Sequence, residues 1–260
     1  MIFYDANKYL YSVKKLSLTY TDGINIKTDT ASGFIVGTGS FGTLVSARHV
    51  LDPSYNINFK NPNPGSAWYL EKIEILEHSM DGKKHQTLTF SESLRTRILV
   101  SQDSDIGLLP LNFPTQQTNA VKSITAYFTL ENIADKTYYE GLLVGDIIHM
   151  PTFSLAGDAL NLVPLFNSGF IASDPNVDYS YDELNRGQLL AVQVQVWGGA
   201  SGAPIFSRPV GLENVQGARP GRLIGIHSGH TTAVKNVHSG ISFCTKSTSL
   251  LSLLKTHNLI

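Results

Sequence analysis

The chain has 260 residues, with 20 Lys plus Arg against 21 Asp plus Glu, a formal charge of −1, 42% apolar residues and 16% charged ones. That balance leaves no basic excess to neutralise phosphates, which argues against nucleic acid as a partner, and it is too apolar for wholesale disorder. A chain of this length buries roughly three-quarters of its unfolded surface in one or two domains, and its single cysteine, Cys244, can form no internal disulfide.

The N-terminus, Met1-Ile2-Phe3-Tyr4-Asp5-Ala6-Asn7-Lys8, lacks the basic start, long apolar run and small-residue cleavage site of a leader. No stretch approaches the ~20 apolar residues of a spanning helix. The expectation is a soluble cytoplasmic protein with no membrane partner, or a secreted or periplasmic one whose signal peptide has been removed. A short helix is expected around 5–13. Short runs rich in Val, Ile, Phe, Tyr and Thr follow at 16–20, 34–36, 43–46, 68–76, 87–90 and 106–111. A second set lies at 124–130, 142–150, 162–166, 189–196, 204–206, 223–227 and 240–244. Turn clusters such as Asn61-Pro62-Asn63-Pro64-Gly65 and Asp81-Gly82 punctuate them, a pattern that predicts an all-β sandwich or barrel. The stretch 111–121, with Pro114 and Gln116-Gln117-Thr118-Asn119, is the most linker-like. A helix is predicted to close the chain, capped by Ser247 or Thr248. Its stripe is Leu250, Leu251 and Leu254, with Leu253 at the edge and Leu259 off the face.

Three segments carry the chemistry. Gly42-Thr43-Leu44-Val45-Ser46-Ala47-Arg48-His49-Val50 is a β-run that ends in small residues and a histidine. Asp103-Ser104-Asp105-Ile106-Gly107-Leu108-Leu109 puts an acid directly before an apolar strand. Trp197-Gly198-Gly199-Ala200-Ser201-Gly202-Ala203-Pro204-Ile205-Phe206 sets a serine in a glycine loop that opens into a strand. A serine hydroxyl is a poor nucleophile at neutral pH and needs a base. Histidine can take its proton and return it to a leaving amine, and an aspartate holds the imidazole in the correct tautomer. The glycines let two backbone N–H groups face outward, Gly199 and Ser201 being the natural donors to a developing oxyanion. Read singly, Ser201 is a turn serine and His49 a strand-end histidine; Asp103 competes with Asp105 if the strand starts earlier.

In the order His, Asp, Ser, the segments resemble the chymotrypsin-like (trypsin-fold) peptidases, most closely bacterial intracellular or stress-type members. Ser46-Ala47-Arg48-His49, Asp105-Ile106-Gly107-Leu108-Leu109 and Gly199-Ala200-Ser201-Gly202-Ala203-Pro204 are similar to that family's three catalytic motifs. Leu223-Ile224-Gly225-Ile226-His227-Ser228-Gly229 resembles the strand lining the primary pocket, and Gly240-Ile241-Ser242-Phe243 the next one. The family's placement of the acid selects Asp105. The resemblance implies two six-stranded antiparallel β-barrels with a C-terminal α-helix: a first barrel over 1–115 carrying His49 and Asp105, a second over 116–246 carrying Ser201, and the helix over 247–260. It implies a serine endopeptidase with no cofactor, acting on a protein or peptide substrate. Ala200 replaces the acid with which animal zymogens bind a newly cut N-terminus, so that activation route is closed and a regulatory protein partner is expected to take its place.

Gly225-Ile226-His227-Ser228-Gly229 also resembles the Gly–x–His–x–Gly of glutamyl endopeptidases and picornavirus-type proteases, which implies cleavage after Glu or Gln. Strand alternation places Ile224 and Ile226 toward the barrel core and His227 toward the cleft. The expected substrate-binding residues are Gln195, Val196, Trp197, His227, Ser228, Gly229 and His230, with a peptide adding as a strand along Ser228 to His230. Val196 stands where the glutamyl group has a hydroxyl, leaving Gln195 and His230 to supply the polar contact. His227, His230, His238 and Cys244 fall close together, but their spacing matches no zinc signature and no metal is expected. The acidic stretch 174–183 reads as a solvated loop or a mobile gate. A peptide-binding module of the same fold without catalysis is the alternative function.

Overall fold

The computed structural model describes residues 9–37, 42–55, 68–78, 82–92, 94–111, 127–154, 162–180, 187–211, 218–232 and 238–260. The first half forms a seven-stranded antiparallel sheet from β1 (Val13–Thr21), β2 (Ile26–Gly37), β3 (Gly42–Ser46), β4 (Tyr69–His78), β5 (His85–Phe90), β6 (Leu99–Val100) and β7 (Gly107–Leu111). Its order is β5-β4-β1-β2-β3-β7-β6. The short β6, which the apolar pattern does not single out, is the strand beyond the six expected. The second half is a closed six-stranded barrel of β8 (Ile147–Thr152), β9 (Leu165–Ile171), β10 (Leu189–Gln193), β11 (Pro204–Ser207), β12 (Leu223–Thr232) and β13 (His238–Lys246).

The alternation in β1 explains its pairing. Leu16, Leu18 and Tyr20 are buried while Lys15, Ser17 and Thr19 are half-buried, which is period-2 burial. The β1–β2 turn is fixed by Asp22, whose Oδ1 accepts from the N–H groups of Ile24 and Asn25 at 2.9 and 2.6 Å. Each half has its own apolar core, one around Leu16, Ile35, Leu44 and Leu109, the other around Ile148, Leu190, Val192 and Ile205. A third cluster joins them. It takes Phe34, Val45 and Leu108 from the sheet, Phe206, Leu223 and Ile226 from the barrel, and Leu250 and Leu254 from the terminal helix.

Four α-helices lie wholly within the described residues: α1 (Arg48–Leu51), α2 (Leu94–Arg97), α3 (Lys136–Glu140) and α4 (Ser247–Thr256). The terminal helix falls where its leucines place it, but Lys246 is its N-cap and Ser247 is its first residue. The Ser247 hydroxyl donates to the Ala134 carbonyl at 2.6 Å instead of capping. Leu253 is buried on the helix face and Leu251 only partly so. The run at 124–130 is not a strand in its described part. Phe128 makes a single bridge to Val36, and a turn of 3-10 helix occupies Leu130–Asn132. The run at 142–150 is divided, with a turn to Asp146 before β8 begins at Ile147. Of the N-terminal helix, residues 5–8 lie outside the described residues, and Tyr9 and Leu10 are helical. Most of the linker-like stretch and the 115/116 boundary also lie outside them.

Candidate active site

His49 and Asp105 sit at the end of the first sheet. Ala47, extended at φ −64 and ψ 145, turns β3 into the single helical turn α1 that carries His49. Asp105 lies just before β7, which pairs directly with β3 in the register Ser46 to Gly107. The Asp105 carboxylate takes two bonds from one residue. His49 Nδ1 lies 2.9 Å from Oδ2, and the His49 backbone N–H donates to Oδ1 at 3.0 Å. Asp105 is buried and Asp103 is exposed, so of the two acids only Asp105 reaches the imidazole. Burial opposes protonation of His49, yet the charge and hydrogen bond of Asp105, with a contribution from Asp29, lift its pKa above the ordinary value.

The Ser201 loop is shaped by two glycines with positive φ, Gly199 at 94° and Gly202 at 83°. Gly202 has a second reason to be glycine. A Cβ there would stand 2.1 Å from Ser46 Oγ, 2.3 Å from the Ser32 carbonyl oxygen and 3.0 Å from the Ala47 nitrogen. The loop is thus pressed against the turn that leads to His49. Its carbonyls are held one by one: Gly199 by the Ser32 hydroxyl at 2.8 Å, Ala200 by the Ala203 N–H at 3.0 Å, and Ser201 by the Ser32 N–H at 2.9 Å. The Gly202 N–H donates to the His227 carbonyl at 2.9 Å. Among the described residues, the N–H groups of Gly199 and Ser201 donate to no protein acceptor, and the Ser201 hydroxyl shares no hydrogen bond with His49.

A cavity of ≈ 480 Å³ opens beside Ser201. Trp197, Gly199, His227, Ser228, Gly229 and His230 are among the residues that line it. Gln195 and Val196 do not. Val196 packs into the barrel core at 3% exposure, and Gln195 points to solvent. Phe243, Thr231 and Thr232 line it instead. Phe243 pairs with Gly229, where a Cβ would meet the Phe243 ring at 2.7 Å, so the glycine makes room for the aromatic wall. His227 lines the cavity, but Ile226 does not share the barrel core with Ile224. The register shift between Ile205 and Phe206 breaks the alternation, and Ile226 joins the cluster between the two halves.

His227 is 2% exposed, and neither ring nitrogen has a hydrogen-bond partner among the described residues. Burial, and then the neighbouring rings of His230, His49 and His238, push its pKa down to about 3. The Ala200 carbonyl pulls the other way but lies outside hydrogen-bonding geometry. His230 and His238 stack at 4.5 Å between centroids. Burial lowers both, and His238 Nδ1 accepts from the Gly240 N–H at 2.8 Å. Among the described residues no three His, Cys, Asp or Glu side chains converge as a metal site. Ser228 is buried, its hydroxyl 3.0 Å from that of Thr245. In the acidic stretch, Asp178 is tied to the buried Lys246 at 2.8 Å, while Asp182 and Glu183 lie outside the described residues. Among the described residues no helix is long and apolar enough to cross a membrane.

No family model matches the sequence, and no curated protein does. Solved structures do match in fold. A thermostable serine protease, AL20, from an extremophilic microorganism aligns with a TM-score of 0.61 at 14% identity, over 97% of this chain and 99% of that one. The protease Anisep from Arthrobacter nicotinovorans aligns at 0.59 and 13%, over 97% and 98%. Deg5 aligns at 0.54 and 14%, over 95% and 88%. At such identity the likeness speaks for the fold alone. With its antiparallel sheet, closed six-stranded barrel and terminal helix, the chain has the trypsin-like fold of these proteins.

Proposed function

We propose that the chain is a serine endopeptidase working through Ser201, His49 and Asp105 and an acyl-enzyme. The observation that carries this reading is the pressing of the Ser201 loop, through Gly202, against the Ser46–Ala47 turn beside an imidazole already bonded to a buried carboxylate. A carboxylate at Nδ1 favours the tautomer with its proton on Nδ1, leaving the Nε2 lone pair to take the Ser201 proton. The Ser201 oxygen then attacks the scissile carbonyl, and the N–H groups of Gly199 and Ser201 bind the resulting oxyanion. Each such donor typically contributes ~3 kcal/mol. The imidazolium returns its proton to the leaving amine, and water repeats the cycle on the acyl-enzyme. Because His49 must be neutral to act as base and its pKa is raised, the rate is expected to fall with decreasing pH at values above the ordinary 6.5.

The primary pocket fits Glu or Gln. A neutral, buried imidazole at His227 can donate its one ring N–H to a Glu carboxylate or a Gln carbonyl oxygen, recognising it by a hydrogen bond rather than by charge. The substrate chain adds as a β-strand along Ser228, Gly229 and His230. The two halves are read as units over 1–115 and 116–246, with the terminal helix over 247–260. The unmade bond between the Ser201 hydroxyl and His49 favours a second reading, a peptide-binding module of the same fold. Such bonds are often long without substrate, and a fluorophosphonate probe separates the two. Stoichiometric labelling of the wild type, lost in Ser201→Ala along with about a millionfold of hydrolysis, is the expected result. An unlabelled wild type leaves the binding module.

A further inference from the structure

We propose that Ser32, in β2, is a positioning residue that sets the oxyanion donors from the opposite half of the molecule. The inference rests on the proposed protease reading and adds to it a residue outside the three catalytic motifs.

Ser32 is fully buried and makes four bonds, three of them to the barrel half. Its hydroxyl donates to the Gly199 carbonyl at 2.8 Å and accepts from the Phe153 N–H at 3.1 Å. Its N–H donates to the Ser201 carbonyl at 2.9 Å, and its own carbonyl accepts from the Ser46 hydroxyl at 2.8 Å. One residue therefore holds both carbonyls that flank Ala200 in the nucleophile loop. Because a peptide unit is planar and trans, holding these two carbonyls fixes the Gly199–Ala200 and Ser201–Gly202 planes, and between them lies the Ala200–Ser201 unit that carries the Ser201 N–H. With the Gly199 and Ser201 carbonyls drawn toward β2, the intervening backbone has little freedom to rotate. Gly199 matters most, because a glycine at φ 94° has the freedom to move elsewhere on the map. The Ser32 hydroxyl opposes that motion with a bond that an alanine cannot make. Removing it also strands the Phe153 N–H, so the end of β8 shares the same anchor.

The Ser32 hydroxyl touches no reacting atom in this scheme. Its effect is expected on transition-state binding, since only the oxyanion needs both N–H groups aimed at one point.

The test compares the full chain with Ser32→Ala and Ser32→Thr. Three readouts are the fluorophosphonate labelling rate, kcat and KM on a peptide that the wild type cleaves, and the amide NMR shifts of residues 198–203. Ser32→Ala is expected to lower kcat and the labelling rate by about ten- to a hundredfold, with KM changed by no more than a few-fold. Ser32→Thr, which keeps the hydroxyl, is expected to recover most of the loss. The Gly199 and Ser201 amide signals should move in the alanine variant and return in the threonine one. A lower melting temperature with an unchanged labelling rate per folded molecule would make Ser32 merely structural and overturn the proposal. So would a loss carried by KM. If the wild type is neither labelled nor active, the protease reading fails, and the NMR comparison alone decides Ser32. Unmoved Gly199 and Ser201 amides then overturn its role, and moved ones that threonine restores uphold it.

Discussion

The two parts of the candidate site are built differently. His49 and Asp105 are brought together inside one sheet, by neighbouring strands β3 and β7 and two short bonds between the residues themselves. The Ser201 loop is not held by its own barrel alone. It leans on β12 through the His227 carbonyl and on the other half through Ser32 and the space beside Gly202. A base–acid pair can thus be set by local strand pairing, whereas the oxyanion loop depends on how the two halves dock.

Of the changes that separate the two parts, breaking the first without disturbing docking should give the largest effect. Asp105→Asn keeps an oxygen for the His49 N–H but favours the wrong imidazole tautomer, and about a 10⁴-fold fall in kcat is expected with little change in melting temperature. A fall of less than tenfold would detach Asp105 from the chemistry. Breaking the docking should register in stability first. Gly202→Ala adds a Cβ at 2.3 Å from a backbone oxygen at a φ of 83°. Strain and overpacking together are expected to cost about 3 kcal/mol, read as a lower midpoint in urea. An unchanged midpoint would mean that the loop does not lean on the sheet.

The pocket sharpens the comparison, because His227 belongs to the barrel yet lies beside the other half's His49. In a peptide library, His227→Ala is expected to lose the preference for Glu or Gln, and unchanged selectivity would remove the residue from recognition. Its titration gives a second reading. The folded pKa of about 3 lies below the ordinary 6.5, so the unfolded chain binds the extra proton between those values. Stability held above pH 6.5 should therefore fall as pH drops toward 3, and His227→Gln should flatten part of that slope. The smallest effect is expected at Cys244. Burial pushes its thiol up to about 12, and the sulfur packs under Gly225, so iodoacetamide and EDTA should both leave hydrolysis unchanged. Loss of activity in EDTA with recovery on adding zinc would reopen the histidine cluster as a metal site.

Much of this architecture was legible because short strands and a terminal leucine stripe are local signals. Local signals did not separate Asp105 from Asp103: the resemblance to a known motif selected Asp105, and what tells the two apart in space is that Asp105 is buried against His49 while Asp103 is exposed. What was illegible depends on distance along the chain. Ser32 is an unremarked polar residue in Ala31-Ser32-Gly33, and its partners Gly199 and Phe153 lie 167 and 121 residues away. Val196 was expected in the pocket by analogy of position, yet in space it belongs to the barrel core. Ile226 followed simple alternation on paper, and a bulge set it on the other side. The β6 strand and helix α3 were too short to carry a period; α3 is defined by its cap, where the Asp135 carboxylate accepts the Tyr138 N–H at 2.9 Å.

The apolar cluster shared by the sheet, the barrel and α4 has a thermodynamic consequence. Phe34, Phe206 and Leu254 come from three parts of the chain but exclude water from one common volume. Each buried leucine or phenylalanine there contributes roughly 1.5–3 kcal/mol, and none can keep that contribution if one of the three parts leaves. Neither half then has a melting point of its own. Heat should take the molecule apart in a single cooperative transition, with calorimetric and van't Hoff enthalpies in agreement.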